Sequence, residues 1–86
     1  MNGQAQSEFK ALQFAVTDTR QQLPAYQARR HVRIKNNSGA AIEIATNPTQ
    51  SGYTLEAGET ITIPVDNSGL IWVETATTAD LSVIVV

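Results

Sequence analysis

From residue 31 onward, apolar and polar positions alternate along the chain. His31-Val32-Arg33-Ile34-Lys35-Asn36 puts Val32 and Ile34 on one side and Arg33 and Lys35 on the other, the period of two that marks a half-buried strand. Ala41-Ile42-Glu43-Ile44-Ala45-Thr46 alternates in the same way, with the turn cluster Asn37-Ser38-Gly39 between the two runs. Two such runs around an Asn/Gly turn predict a β-hairpin. Asn47-Pro48-Thr49-Gln50-Ser51-Gly52 reads as a loop and Tyr53-Thr54-Leu55 as a short strand. Glu56-Ala57-Gly58-Glu59 reads as a turn in which Gly58 supplies a positive φ. Thr60-Ile61-Thr62-Ile63-Pro64-Val65 places Ile61, Ile63 and Val65 inward. Pro64 has no N–H, so this strand lies at a sheet edge or stops there. Asp66-Asn67-Ser68-Gly69 turns the chain into Leu70-Ile71-Trp72-Val73-Glu74, and Leu81-Ser82-Val83-Ile84-Val85-Val86 forms a further strand.

The first third of the chain is less regular. Within Phe9 to Thr17, Leu12, Phe14 and Val16 alternate with Gln13 and Ala15, although Phe9, Leu12 and Val16 also fit one face of a short helix. The β-branched pair Val16-Thr17 and the breaker Asp18-Thr19 favour a strand. Asp18 to Arg30 reads as an exposed connection, because Leu23-Pro24 forces an extended residue and stops any helix. Residues 1–8 are small and polar and are expected to form a flexible arm, with 9–86 as a single domain. Six to seven short strands with regular turn signals predict an all-β fold, a small antiparallel β-sandwich or jelly-roll-like barrel. Asn-Ser-Gly occurs at 37–39 and again at 67–69, but the flanking inward positions are out of phase by one residue. The repetition is therefore one of turn chemistry, not of an internal duplication.

Composition sharpens this picture at a few points. A chain of 86 residues makes one domain and buries only about 60–65% of its unfolded surface, so its own core is marginal. Cysteine is absent and His31 is the single histidine, which excludes disulfides, thiolate chemistry and a multi-histidine metal site within this chain. Oligomerisation or docking on a partner is the remaining way to supplement the core. The last strand fits that expectation. Leu81, Val83 and Val85 form one apolar face, and Ile84 and Val86 make the other apolar too. Such a strand is either central and covered twice or presents one face to another subunit.

Net charge is −2, but the charges are segregated. All six basic residues lie before position 36 with Glu8 and Asp18, leaving that part +4, and six acids from Glu43 onward leave the rest −6. This separation either favours contact between copies or is a segregation of surface charge without consequence. No apolar run approaches the roughly 20 residues needed to span a bilayer. The sequence begins without a basic segment followed by an apolar one, so no signal peptide is expected. The chain is expected to be made in the cytoplasm and to stay there or leave within a particle. Asn36-Asn37-Ser38 matches a glycosylation sequon, which carries no weight in that setting.

The sequence contains no phosphate-binding glycine loop, no metalloprotease helix motif and no calcium loop. Glu56 and Glu59 flank a turn glycine, where acids are common for solubility. His31 with Ser38 or Asp18 has no spacing that supports a hydrolytic pair. No catalytic, cofactor-binding or metal-binding residue is assigned, and the chain is not expected to be an enzyme. The candidate interface residues are Arg29, Arg30, Arg33, Lys35, Trp72, Ile84 and Val86. The four basic residues form either a docking strip for phosphate or an acidic protein surface, or the solvated face of a strand. A nucleic-acid site would interleave aromatics with the charge, and only Tyr26 is near, so neither a nucleic acid nor a membrane is expected as a partner. Trp72 is opposite in phase to Ile71 and Val73. It is either core with those two exposed, which is the preferred assignment, or an interface anchor.

Five segments, in order and spacing, resemble a family of small tailed-bacteriophage virion proteins. They are Ala15-Val16-Thr17-Asp18-Thr19 with Gln22-Leu23-Pro24, then Val32-Arg33-Ile34-Lys35-Asn36-Asn37-Ser38-Gly39, Gly52-Tyr53-Thr54-Leu55-Glu56-Ala57-Gly58-Glu59 and Ile71-Trp72-Val73. The resemblance runs from Phe9 to Val86, and each piece alone is ordinary β-turn sequence. It implies a β-sandwich or jelly-roll-like virion component present in many copies, and it carries no catalytic residues. The leading expectation is a capsid decoration (cement) protein that binds the major capsid protein or another virion protein, self-associates and stabilises the head shell. A tail or fibre-attachment component is the neighbouring alternative. A carbohydrate-binding module is the alternative from a different class, although it would show several aromatics on one face and this chain has five in all.

Overall fold

The computed structural model describes residues 9–49 and 52–86. The arm expected over 1–8 lies outside the described residues. Eight strands are formed among the described residues: β1 Lys10–Val16, β2 Gln21–Gln22, β3 Val32–Asn36, β4 Ile42–Ala45, β5 Tyr53–Leu55, β6 Thr60–Ile63, β7 Trp72–Thr75 and β8 Ala79–Val85. They assemble into two antiparallel four-stranded sheets, sheet A in the order β1-β8-β3-β6 and sheet B in the order β2-β7-β4-β5. Among the described strands only β4 and β5 are consecutive in sequence and neighbours in one sheet. Every other connection crosses from one sheet to the other. This is the strand order of a jelly roll, two Greek keys folded face to face, and the fold class expected from the pattern is the one formed.

The core lies between the sheets and is built by the alternation itself. In sheet A, Val16, Val32, Ile34, Leu81, Val83 and Val85 point inward and are buried. Sheet B contributes Ile42, Ile44, Leu55, Ile71 and Val73. Register explains the alignment: Ile34 lies opposite Ile61 on one side and Val83 on the other, while Ile44 lies opposite Tyr53 and Val73. A slip of one residue would send these side chains to solvent. Gly58 has φ +80° in the β5–β6 turn, a conformation only glycine adopts without strain. β6 is an edge strand that ends at Ile63, immediately before Pro64.

Three expectations are corrected. The predicted hairpin of 31–36 with 41–46 does not form, since β3 belongs to sheet A and β4 to sheet B. Val32 and Ile34 face Ile42 and Ile44 across the core, whereas a hairpin would have set them side by side in one sheet. The chain makes the crossing around Asn36, which shares the inward phase of Val32 and Ile34 and is fully buried. Its Nδ2 donates to the carbonyls of Ala40 (2.7 Å) and Leu55 (3.0 Å), and its Oδ1 accepts from the Ser38 N–H (2.9 Å) and hydroxyl (2.7 Å). The second correction concerns Asp18 to Arg30. This stretch is not merely an exposed connection, because it contains β2 and buries Leu23 and Ala28. It is sewn to the turn before β7 by Leu23 N–H to Ile71 O (3.0 Å) and Ala28 N–H to Asp66 O (2.7 Å). The buried Ser68 hydroxyl adds to the seam, accepting from the Tyr26 N–H (2.9 Å) and donating to the Pro24 carbonyl. The third is strand number, eight where six to seven were expected, the two-residue β2 being too short to leave a pattern.

Candidate functional site

The alternation that fills the core also decides what the two outer faces present. On sheet A, β3 sends Arg33 and Lys35 outward while Val32 and Ile34 go in. Arg33 lies between Ile84 of β8 and Thr62 of β6, and Lys35 between Ser82 of β8 and Thr60 of β6. Ala11 flanks Ile84 from β1 and Gln13 flanks Ser82, donating to its hydroxyl at 3.1 Å. Ile84 is only half-buried. β8 is thus central in its sheet and paired on both edges, and its outer face carries Asp80, Ser82 and the single apolar side chain Ile84.

At the end of this face the Val86 carbonyl accepts the N–H groups of Arg29 (2.9 Å), Arg30 (2.8 Å) and His31 (3.3 Å), and the Val86 N–H returns to His31 O at 3.0 Å. These bonds fix the bend that projects Arg29 and Arg30 into solvent. Arg33, Lys35 and Ile84 therefore share the outer face of sheet A, and the backbones of Arg29, Arg30 and Val86 meet at its end.

Trp72 is not with them. It points out of sheet B opposite Gln22 and Ala45 and is half-buried. Ile71 and Val73 are fully buried. The preferred assignment of Trp72 to the core is overturned, because β7 needs Val73 inward to meet the core that Ile42 and Ile44 share.

Sheet B carries a charged group that pattern reading missed. Glu43 of β4 and Glu74 of β7 lie directly opposite each other, an arrangement of like charges that destabilises a sheet on its own. Arg20 bridges them from the β1–β2 connection. Its Nε donates to Glu74 Oε1 at 2.8 Å and its Nη2 to Glu43 Oε1 at 2.9 Å, while Nη1 reaches the Asn47 carbonyl at 3.2 Å. Glu43 Oε2 accepts the Gly52 N–H at 2.7 Å. The hydrogen bond to Glu74, reinforced by the charges of both glutamates, raises the Arg20 pKa above its ordinary value. Glu43 is held below the usual carboxylate range, first by the Gly52 N–H and then by the charge of Arg20, against partial desolvation that pushes it up. The two glutamates show in sequence only as outward strand positions, and no local signal ties them to Arg20.

Glu43 and Glu74 line a shallow open dish of about 390 Å³ together with Ala41, Ile42, Thr54, Thr75 and Ala76. A second open cleft of about 280 Å³ lies where the edge strands β5 and β6 leave the sandwich incompletely closed, between Ile44, Tyr53, Ile61 and Ile63. Lys10 Nζ sits 5.0 Å from the centre of the Tyr26 ring, a cation–π contact away from both. Among the described residues no group of three or more His, Asp or Glu side chains is placed to hold a metal ion. No protein-family model and no curated protein matches the chain.

The depressed Glu43 pKa sets a pH dependence. A carboxylate with a lower pKa folded than unfolded adds stability that is present above its unfolded pKa and lost as pH falls through the folded one. Urea midpoints should therefore decline on acidification through and below the ordinary glutamate range. Glu43→Gln should be less stable at neutral pH and show a flatter acid limb. A variant with an unchanged acid limb would show that Glu43 contributes nothing to it.

Proposed function

We propose that this chain is a structural virion component of a tailed bacteriophage, a capsid decoration protein that binds the outside of the head shell and stabilises it by adding interface area. The observation that supports this reading most is the architecture. The chain forms a compact jelly roll, the fold that the resemblance over Phe9–Val86 implies and one used by viral capsid proteins. The same fold hosts unrelated functions, so the reading also leans on what the surface offers. The outer sheet faces carry Arg33 and Lys35 on one side and Glu43 and Glu74 on the other, and the concavities are open and shallow. The large apolar side chains most open to solvent, Phe9, Tyr26, Tyr53 and Leu70, are spread over separate segments. That spread favours an assembly role over a carbohydrate-binding platform of adjacent aromatics.

Heads isolated from infected cells should contain the chain in many copies. Heads assembled without it should lose integrity at lower temperature and regain resistance when the purified chain is added back. Recovery of the chain only with tails would move it to the fibre-attachment class, and its absence from particles would overturn the reading altogether. The marginal core also predicts self-association. Sedimentation at micromolar concentration should show a dimer or trimer, and a monomer at all concentrations would count against it.

A further inference from the structure

We infer that the outer face of sheet A is a docking surface for an acidic protein face, one that carries two carboxylates about 7 Å apart beside an apolar side chain. The inference rests on the assembly role proposed above and names the surface and the partner chemistry. Arg33 and Lys35 are alternate residues of β3, and alternate positions on one face of a strand stand about 6.5–7 Å apart. Neither has an ion-pair partner among the described residues. Among the described residues the ion pairs are those of Arg20 with Glu43 and Glu74, on the opposite sheet. Asp80 is the one acid at a paired strand position of this face, and it lies opposite Ala15 at the far end of β1. Two uncompensated cations on an inner strand repel each other, and a complementary partner removes that repulsion.

The surroundings of the pair choose among polyanions. Ile84 lies beside Arg33, with Ala11 on its other side. The apolar side chain gains by burial against protein and gains little against a phosphate backbone. No aromatic residue occupies an outward strand position on this face, so the stacking surface that single-stranded nucleic acid uses is missing there. A symmetric contact centred on this pair is disfavoured too, because a two-fold axis passing beside Arg33 and Lys35 would set like charges against each other.

The test combines a charge-reversed variant with zero-length cross-linking. R33E/K35E and the neutral R33Q/K35Q should unfold at the wild-type temperature, since both side chains face solvent. Immobilised poly-L-glutamate should bind the wild-type chain at low ionic strength, more weakly as salt rises. It should bind the reversed variant at least about tenfold more weakly, with the neutral variant between. A 20-bp duplex DNA of equal charge should bind less well than poly-L-glutamate. On isolated particles containing the chain, carbodiimide should join Lys35 to an Asp or Glu of another polypeptide, and the reversed variant should fail to load.

If DNA is preferred, if neither polyanion binds, or if reversal abolishes self-association, the inference is overturned. If the chain is present in particles but Lys35 stays uncoupled and the reversed variant loads normally, the docking face is overturned while the virion reading stands. If Lys35 couples to an acidic protein that is not part of a particle, the face is supported and the virion reading falls.

Discussion

Replacing Asn36 by alanine should lower the stability of the domain by about 3 kcal/mol, a large share of the roughly 4–13 kcal/mol available to a chain of this size. The side chain is fully buried and makes four hydrogen bonds, as donor to Ala40 O and Leu55 O and as acceptor from the Ser38 N–H and hydroxyl. Its backbone adds two more, N–H to Glu59 O at 2.9 Å and C=O from the Gly58 N–H at 2.9 Å. Alanine keeps the backbone pair and strips the side-chain set. A buried carbonyl left without its donor costs about 1–3 kcal/mol, and Leu55 O is the most exposed to that loss because Ser38 still reaches Ala40 O at 3.2 Å.

With a urea slope of about 1–1.5 kcal/mol/M for a small domain, the midpoint should fall by about 2–3 M. Asn36→Asp refines the test. It keeps the shape but turns an ionised oxygen toward two carbonyls, so the folded pKa of the new carboxyl is raised. That variant should therefore gain stability as pH falls through that pKa, the reverse of the trend set by Glu43. If Asn36→Ala unfolds within about 0.5 kcal/mol of wild type, the crossing between the sheets does not depend on this side chain.

Gly52→Ala should be nearly as damaging for a different reason. A Cβ on Gly52 would lie 2.1 Å from the Ile44 carbonyl oxygen and 2.6 Å from its carbon. That oxygen belongs to β4, and the Gly52 N–H holds Glu43 Oε2 on the same strand. Neither atom can retreat without disturbing the pairing of β4 with β5. Overpacking of this kind costs about 1–3 kcal/mol, and the upper end is expected because backbone, not side chain, is in the way. Gly39→Ala is the control. A Cβ there meets nothing within 4 Å, and Gly39 lacks the positive φ of Gly58. It should be neutral, or stabilising by up to about 1 kcal/mol through a less flexible unfolded chain. Thermal unfolding of the two variants side by side checks the contrast, and equal melting temperatures would refute it.

The strands were legible because one face of each sheet is wet, and a wet face writes itself into the sequence as alternation. Val32, Ile34, Ile42 and Ile44 could be placed inward from that signal alone, whereas Val83-Ile84-Val85 is apolar throughout and carries no such signal. Pairing was less legible, since a period of two says which face a residue uses but not which sheet its strand joins. The 31–46 stretch shows the consequence. Asn37-Ser38-Gly39 suits a hairpin turn, yet the fully buried Asn36 just before it makes the chain cross. Asn36 stood at an inward phase position all along, and a polar residue there was the overlooked sign that a backbone crossing needed hydrogen bonds. The basic strip was readable because Arg33 and Lys35 are neighbours on one strand. Arg20, Glu43 and Glu74 were not, because their meeting depends on β4 pairing with β7 and on where the β1–β2 connection lies.

The position of β8 bears on how the protein is born. β8 supplies the hydrogen-bonding partner for both β1 and β3, and β7 does the same for β2 and β4. At a translation rate of about 5–20 residues per second, β1 waits several seconds after leaving the ribosome before the strand it must pair with exists. Only β4 with β5 and β3 with β6 find partners meanwhile, and neither pair closes a sandwich. The nascent chain therefore carries β1 and one edge of β3 unpaired until residues 79–85 emerge. Non-local topologies of this kind then fold in milliseconds to seconds, so completion of the fold trails the emergence of one strand, not the gradual growth of the chain.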